Sequence, residues 1–353
     1  MKKTSINSLN KRIAQKLPFL EDFLLFLTTS NYSKHTISNY ERDLEHFAHF
    51  LGENDLEFEE ISKKFIDHYK ADLIADNRET LKKHQKSEAL KAKSINRMLT
   101  SLRTYLTFLI DRDEPTPIMP QHVKLMKLEK KVKPLPELDE LIRFIESPQG
   151  LEDDRFIGLR NRLVLEILFA AGLRISEAVG LKLSQWEPSG KMYIMGKGRK
   201  ERFVYVTPRV IRIAEEYFPL REQYIKGSLP SSLSSNQDIV DSFECMFVTK
   251  KTFDGLHKDH SQAVLEEAFT KHISDNYLQD KIKSYRLQIG ISSPLSAHTL
   301  RHGFATYLAE SGANPAALQV LLGHESLDTT TRYVHASDSF AENTHHSFHP
   351  LKK

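Results

Sequence analysis

Prolines at positions 115, 117 and 120, directly after Asp113-Glu114, break the chain at the end of its first third. Neither a helix nor a central strand runs through such a cluster, so the residues on either side fold as separate elements. Before the break, apolar residues recur at steps of three and four, the mark of one helical face. Leu17 and Leu20 lead into Phe23, Leu24, Phe26 and Leu27. A second helix begins at Ser33 to Thr36 and carries Ile37, Tyr40, Leu44, Phe47 and Leu51, with Gly52 to end it. A third runs from Glu60 to Leu73 through Ile61, Phe65, Ile66 and Tyr69. A fourth starts near Ser94 and carries Ile95, Met98, Leu102, Leu106 and Leu109. No stretch here alternates as a strand.

At 353 residues the chain exceeds one ordinary core, which implies two domains. The expected division is a helical domain over 1–112, an interdomain linker over 113–136 and a second domain over 137–353. Lys124 to Lys133 is lysine-rich, and Pro134 and Pro136 extend the linker. In the second domain, helices are expected at about 138–147 and 158–171, closed by Gly172 in a left-handed conformation. Met192–Met195 and Arg202–Val206 are β-prone and flank Gly196-Lys197-Gly198-Arg199, a hairpin signal. Leu229–Gln237 reads as a loop, Cys245–Val248 as a short strand and Ala263–Ile273 as a helix, while 284–294 shows no period. The fold class is therefore mainly α with a small antiparallel β-sheet: a helical N-terminal domain and an α+β C-terminal one.

Net charge is only +3, but basic residues cluster. Leu81–Arg103 holds seven Lys/Arg against Glu88, and Lys191–Arg212 seven against Glu201. Such stripes suit a phosphate backbone, and they equally describe solvated helix or hairpin faces. Lys91, Arg97 and Arg103, on and just before the fourth helix, lie mostly off its apolar stripe. Cys245 is the only cysteine, which rules out an internal disulfide and suits a reducing cytosol. The N-terminus has no signal-peptide apolar core. The longest apolar run, Leu163–Leu173, is interrupted by Glu166 and too short to span a bilayer.

Near the C-terminal end, Ser296 can cap a helix to about Glu310. On it His298, Arg301, His302, Ala305 and Ala309 share one face, with Leu300, Phe304, Tyr307 and Leu308 opposite. The alanines are expected to leave room for a large ligand. Asn314-Pro315 opens a further helix that ends at Gly323, with His324 just beyond. Asp328 can cap the segment carrying Tyr333. Upstream, Arg174 stands at the mouth of a short helix, where main-chain N–H groups favour an anion, or pairs structurally with a glutamate. A metal site at His298, His302 and His324 is one reading, but no HExxH glutamate accompanies them. Each residue alone is equally a satisfied polar group of a helical core. Taken together they fit a phosphodiester: arginine forks for its oxygens, histidines as donors or proton carriers, a lysine to protonate a leaving alkoxide, a tyrosine to attack. No metal or cofactor is required for that chemistry.

Gly172-Leu-Arg174-Ile-Ser-Glu, Gly196-Lys197-Gly198, His298-Thr-Leu-Arg301-His302, Leu322-Gly-His324 and Tyr333, in that order, strongly resemble the tyrosine recombinases. Ser33–Tyr40 and Ser94–Phe108 resemble their core-binding domain more weakly. The resemblance implies Arg174 and Arg301 as clamps on the scissile phosphate, with His324 as a further donor. It implies His298 to orient or deprotonate Tyr333, and Lys197 to protonate the leaving 5′-hydroxyl. Tyr333 would form a 3′-phosphotyrosine, and four subunits on two duplexes would exchange strands through a Holliday junction. Lys91, Lys93, Arg97, Arg103, Arg199 and Lys200 are the candidate DNA contacts. The spacing and the tail Phe348-His349-Pro350 resemble the Xer-type recombinases, which resolve chromosome dimers in the cytoplasm and are commonly controlled by an FtsK translocase. The extra length around 225–243 suits the XerH version that works as one protein, and leaves open a phage or mobile-element integrase. A type IB topoisomerase and a non-catalytic DNA-binding protein are the remaining alternatives.

Overall fold

The computed structural model describes residues 16–75, 90–128, 135–196, 201–259 and 261–323. The chain divides into two compact units, 1–132 and 133–353.

Among the described residues, the first unit holds four α-helices: α1 (Leu20–Thr29), α2 (Lys34–Glu53), α3 (Lys63–Ala75) and α4 (Ala92–Ile110). Each follows the apolar period, except that the third starts at Lys63 rather than Glu60, since Phe58–Glu60 forms a separate 3-10 turn that Ile61 ends. Ser33 caps α2 by accepting from the Thr36 N–H at 3.1 Å. The apolar stripes meet in one core that includes Phe23, Leu44, Phe47, Tyr69, Leu102 and Leu106. Asp113 in a left-handed turn (φ 60°) closes α4 before Pro115. The stretch expected to be an interdomain linker belongs, in its first part, to this unit. Ile118 and Val123 are buried in its core. The Asn96 amide brackets the main chain of Met126, donating to its carbonyl at 2.9 Å and accepting from its N–H at 2.7 Å. The lysine-rich remainder, 129–134, lies outside the described residues.

The second unit opens with α5 (Leu138–Glu146), α6 (Arg155–Ala170) and the five-residue α7 (Ile175–Val179). Asp154 caps α6, accepting from the Phe156 N–H at 2.8 Å. From Gly158 to Leu168, α6 is buried at every position but Arg162, as befits a central helix, and the long α8 (Pro208–Ser228) packs across it. Strands β1 (Lys191–Met195) and β2 (Glu201–Tyr205) pair antiparallel with Ile194 opposite Arg202, the hairpin expected from the sequence. Cys245–Val248 forms only an isolated bridge to Lys182 rather than a strand. The expected loop at 229–237 holds a helical turn at 231–234, and a second follows at 237–241; Leu229 and Val240 anchor them in the core. Then come α9 (Gln262–Thr270), α10 (Asp275–Gln288), α11 (Ala297–Glu310) and α12 (Pro315–Leu322). No helix among the described residues is long and apolar enough to cross a membrane.

Candidate active site

Three arginines and one glutamate meet where α7, β2, α11 and the end of α12 come together. Arg174 is the residue from which α7 starts. Its main-chain N–H donates to Glu177 Oε2 at 2.8 Å and its Nη1 to Oε1 at 2.9 Å. The pairing with a glutamate, foreseen as the alternative to anion binding, is therefore present. Yet the Arg174 side chain keeps 40% of its surface exposed, so a head group remains in reach of a ligand.

Arg301 is placed by α11, capped by Ser296, whose hydroxyl accepts from the Thr299 N–H at 3.1 Å. Its side chain is only 6% exposed. Nη1 donates to the Gly172 carbonyl and Nη2 to the Leu322 carbonyl, both at 2.6 Å. At least two of its five N–H groups are thus committed to main chain, and the fold rather than a ligand sets its position. Gly172 makes this possible. It takes the left-handed conformation (φ 61°) expected at the end of α6, and an added Cβ would lie 2.3 Å from the Phe304 ring. Gly172→Ala is accordingly expected to cost about 2–4 kcal/mol, combining left-handed strain with overpacking. Urea denaturation checks this.

Arg202, not among the residues singled out from the sequence, is the third arginine. Strand alternation turns Arg202 and Val204 inward while Glu201, Phe203 and Tyr205 stay exposed. Its Nη1 and Nη2 clasp the Glu177 carboxylate at 3.1 and 2.8 Å, and Nε donates to the Leu321 carbonyl at 3.0 Å. The available signal was a charged residue in register with an inward valine, which is costly unless paired.

Glu177 serves all three. Burial by itself would raise its carboxyl, but the Arg202 hydrogen bonds, the Arg174 N–H and the charges of both arginines outweigh it, holding the pKa below the ordinary range. A carboxyl lowered on folding gives stability that is present above its unfolded value of about 4.3 and lost as pH falls through the lower folded one. Glu177→Gln should therefore flatten the acid limb of a plot of urea midpoint against pH below about 4, relative to the unsubstituted protein. Arg301 Nη1 lies 4.0 Å from the same carboxylate. These four side chains together carry a net charge of +2, three guanidiniums against one carboxylate, in a largely buried place. Such an excess is costly to maintain and draws an anion.

His298 and His302 lie one turn apart on α11, His298 exposed and His302 half-buried. Burial, and then the neighbouring His298, holds the His302 imidazole below its ordinary value. One expectation for this helix is corrected. Ala305 and Ala309 do not open a ligand space: both are buried, and Ala305 packs with Phe304 and with Leu322 of α12. The small Ala305 side chain lets α12 come close instead. That helix begins as expected, with Asn314 accepting from the Ala316 N–H at 2.8 Å, and ends in a left-handed Gly323 (φ 61°). Lys197, Arg199, Lys200, His324 and Tyr333 lie outside the described residues.

Among the candidate DNA contacts, Lys91 and Lys93 are exposed at the start of α4 and Arg103 is half-buried farther along. Arg97 is exposed but engaged: its Nη1 sits 2.5 Å from Asp43, a buried carboxylate that also accepts from Ser101 at 2.8 Å. Removing Asp43 with Ala should cost about 1–3 kcal/mol in urea denaturation, reduced from a fully buried pair because Arg97 is half in solvent. A binding defect in Arg97→Ala has to be read against that structural role.

Residues 136–339, more than half of the chain, match the Phage integrase family, and residues 20–113 match the Phage integrase N-terminal SAM-like domain. The tyrosine recombinase XerC of Halalkalibacterium halodurans is 31% identical over 335 residues, covering 93% of this chain and 96% of its own. The chain belongs to the Xer-type tyrosine recombinases of the Phage integrase family. Its activity is site-specific DNA recombination, the cleavage and rejoining of DNA strands. The tyrosine recombinase XerD of Staphylococcus aureus (strain N315) is 29% identical over 338 residues, covering 94% and 98% of the two chains. In fold, the recombinase resembles the XerH site-specific recombinase bound to palindromic difH substrate, with a TM-score of 0.62, 20% identity and coverage of 89% and 80%. It also resembles a lambda integrase dimer on a core site, with a TM-score of 0.60, 15% identity and coverage of 90% and 94%.

Proposed function

We propose that this recombinase cleaves DNA with Tyr333 as nucleophile and a phosphate clamp built on Arg174 and Arg301. The observation that carries the reading is the cationic centre around Glu177, with three guanidiniums sharing one carboxylate. Arg301 is the fixed arm and Arg174 the exposed, adjustable one. Tyr333 Oη attacks phosphorus, and the bond from phosphorus to the 5′-oxygen breaks. Lys197 gives the leaving oxygen its proton, while His298 orients Tyr333 or takes its proton. His324 is a further donor to the phosphate. A 3′-phosphotyrosyl ester results and keeps the energy of the phosphodiester, so the 5′-hydroxyl of a partner strand rejoins it without ATP. Lys91, Lys93, Arg97, Arg103, Arg199 and Lys200 grip the backbone of double-stranded DNA.

Exchange of both strand pairs requires four copies on two duplexes and a Holliday junction between the steps. The likeness to XerC and XerD proteins, and in fold to a XerH bound to difH, supports resolution of chromosome dimers in the cytoplasm at a dif-like site. An FtsK-type translocase is the proposed controlling partner. Incubating the protein with two duplexes bearing its site should accumulate Holliday junctions resolvable on a native gel. Nicking and relaxation without junctions would overturn the exchange step.

A further inference from the structure

Three consecutive carbonyls at the end of α12 are each met by a different arginine. Leu321 accepts from Arg202 at 3.0 Å, Leu322 from Arg301 at 2.6 Å and Gly323 from Arg174 at 3.5 Å. The last carbonyls of a helix lack intrahelical donors and carry its negative end, so cations are favoured there. Two of the three arginines are the proposed phosphate clamp. The third, Arg202, comes from the hairpin and is turned away from solvent by strand alternation.

Arg202 differs from the other two in its bonding. It alone grips both carboxylate oxygens of Glu177 and a helix carbonyl with one planar group. Its side chain also lies under Gly323, where an added Cβ would stand 3.2 Å from Arg202 Cδ and Nη1. Glu177 in turn holds Arg174 from both its main chain and its side chain. One guanidinium therefore joins β2, α7 and the exit of α12.

Resting on the clamp proposed above, we infer that Arg202 is a positioning residue for strand cleavage. It fixes Glu177, and through it Arg174, and it sets the point at which the chain leaves α12 towards His324 and Tyr333. Lysine cannot replace it, because a point charge lacks the planar fork that spans two carboxylate oxygens and a carbonyl.

The test uses the full chain and a duplex site recovered from a randomised library by the unsubstituted protein. That site is nicked beside the cleavage position so that rejoining is blocked. Affinity at fixed salt and the single-turnover rate of covalent adduct formation at saturating DNA are measured for Arg202→Lys and Arg202→Gln. Both are measured at a temperature where circular dichroism shows them folded. Expected is affinity within about twofold and a rate lower by about tenfold to a hundredfold, the scale of a displaced reacting group. Adding Glu177→Gln to Arg202→Lys should slow the reaction no more than the larger single change, since both act through one contact. An undiminished rate in Arg202→Lys, beside an inert Tyr333→Phe, overturns the inference alone. So does a parallel loss of affinity and rate in both variants, which would make Arg202 a residue of the fold only. An adduct that survives in Tyr333→Phe overturns the reading of the site, and the inference with it.

Discussion

Tyr333→Phe is expected to abolish the covalent protein–DNA adduct while leaving DNA affinity within about twofold, because phosphate contacts from Lys and Arg dominate affinity. The ring is retained and only the hydroxyl is lost. Removing the nucleophile of a concerted site costs on the order of 10^4 to 10^6 in rate, which takes the adduct below detection. A free tyrosine has a pKa of about 10 and attacks poorly at neutral pH. On the proposed reading, the excess of guanidinium charge around Glu177 would supply the field that favours its phenolate and the pentacoordinate phosphate alike. Denaturing gels for the adduct and fluorescence anisotropy for affinity separate the two effects. Retained cleavage in this variant would remove Tyr333 from the mechanism.

Arg301→Ala should fail in two ways at once. In the fold, the side chain is buried and donates to the Gly172 and Leu322 carbonyls. Its loss leaves both without that donor and opens a cavity between α6, α11 and α12, at a cost of about 3–5 kcal/mol. In the reaction, if Arg301 is the clamp proposed here, its loss should lower cleavage by about a thousandfold even in the molecules that remain folded. Arg174→Ala makes the contrast: its side chain is 40% exposed, so the chemistry should suffer while the urea midpoint moves little. Equal stability losses in the two variants would contradict the division into a fixed arm and an adjustable arm.

The helices of the first unit were legible because their apolar residues repeat cleanly, with Ser33 and the prolines after Asp113 marking the ends. Two long helices of the second unit were not. In α8 the buried face runs Tyr217, Arg221, Ile225, and Arg221 reads as polar although it is buried, donating to the Cys245 carbonyl at 2.7 Å. Pro219 within the same helix blurs it further. In α10 only Leu278, Ile282 and Tyr285 are buried, three apolar positions in a charged helix, too few to stand out. The core contribution of 113–126 was hidden because prolines suggest a free segment, whereas Asn96 ties its main chain down. At the site, the resemblance to tyrosine recombinase motifs pointed to Arg174 and Arg301, and the structure brings both to Glu177. Arg202 was not, because β-alternation in Glu201–Val206 fits either face until the hairpin is packed. Ala305 shows the converse case: a small residue opposite an apolar stripe suggests space, and it packs against Leu322 of α12 instead.

The most direct measurement is identification of the residue joined to DNA. The adduct is trapped on a nicked duplex with a metal chelator present, digested with protease and nuclease, and sequenced by mass spectrometry. The expected result is one modified peptide, with a 3′-linked nucleotide phosphate on Tyr333, in undiminished yield with chelator. A nucleotide on any other side chain, or an adduct that requires a divalent metal, would contradict the proposed site.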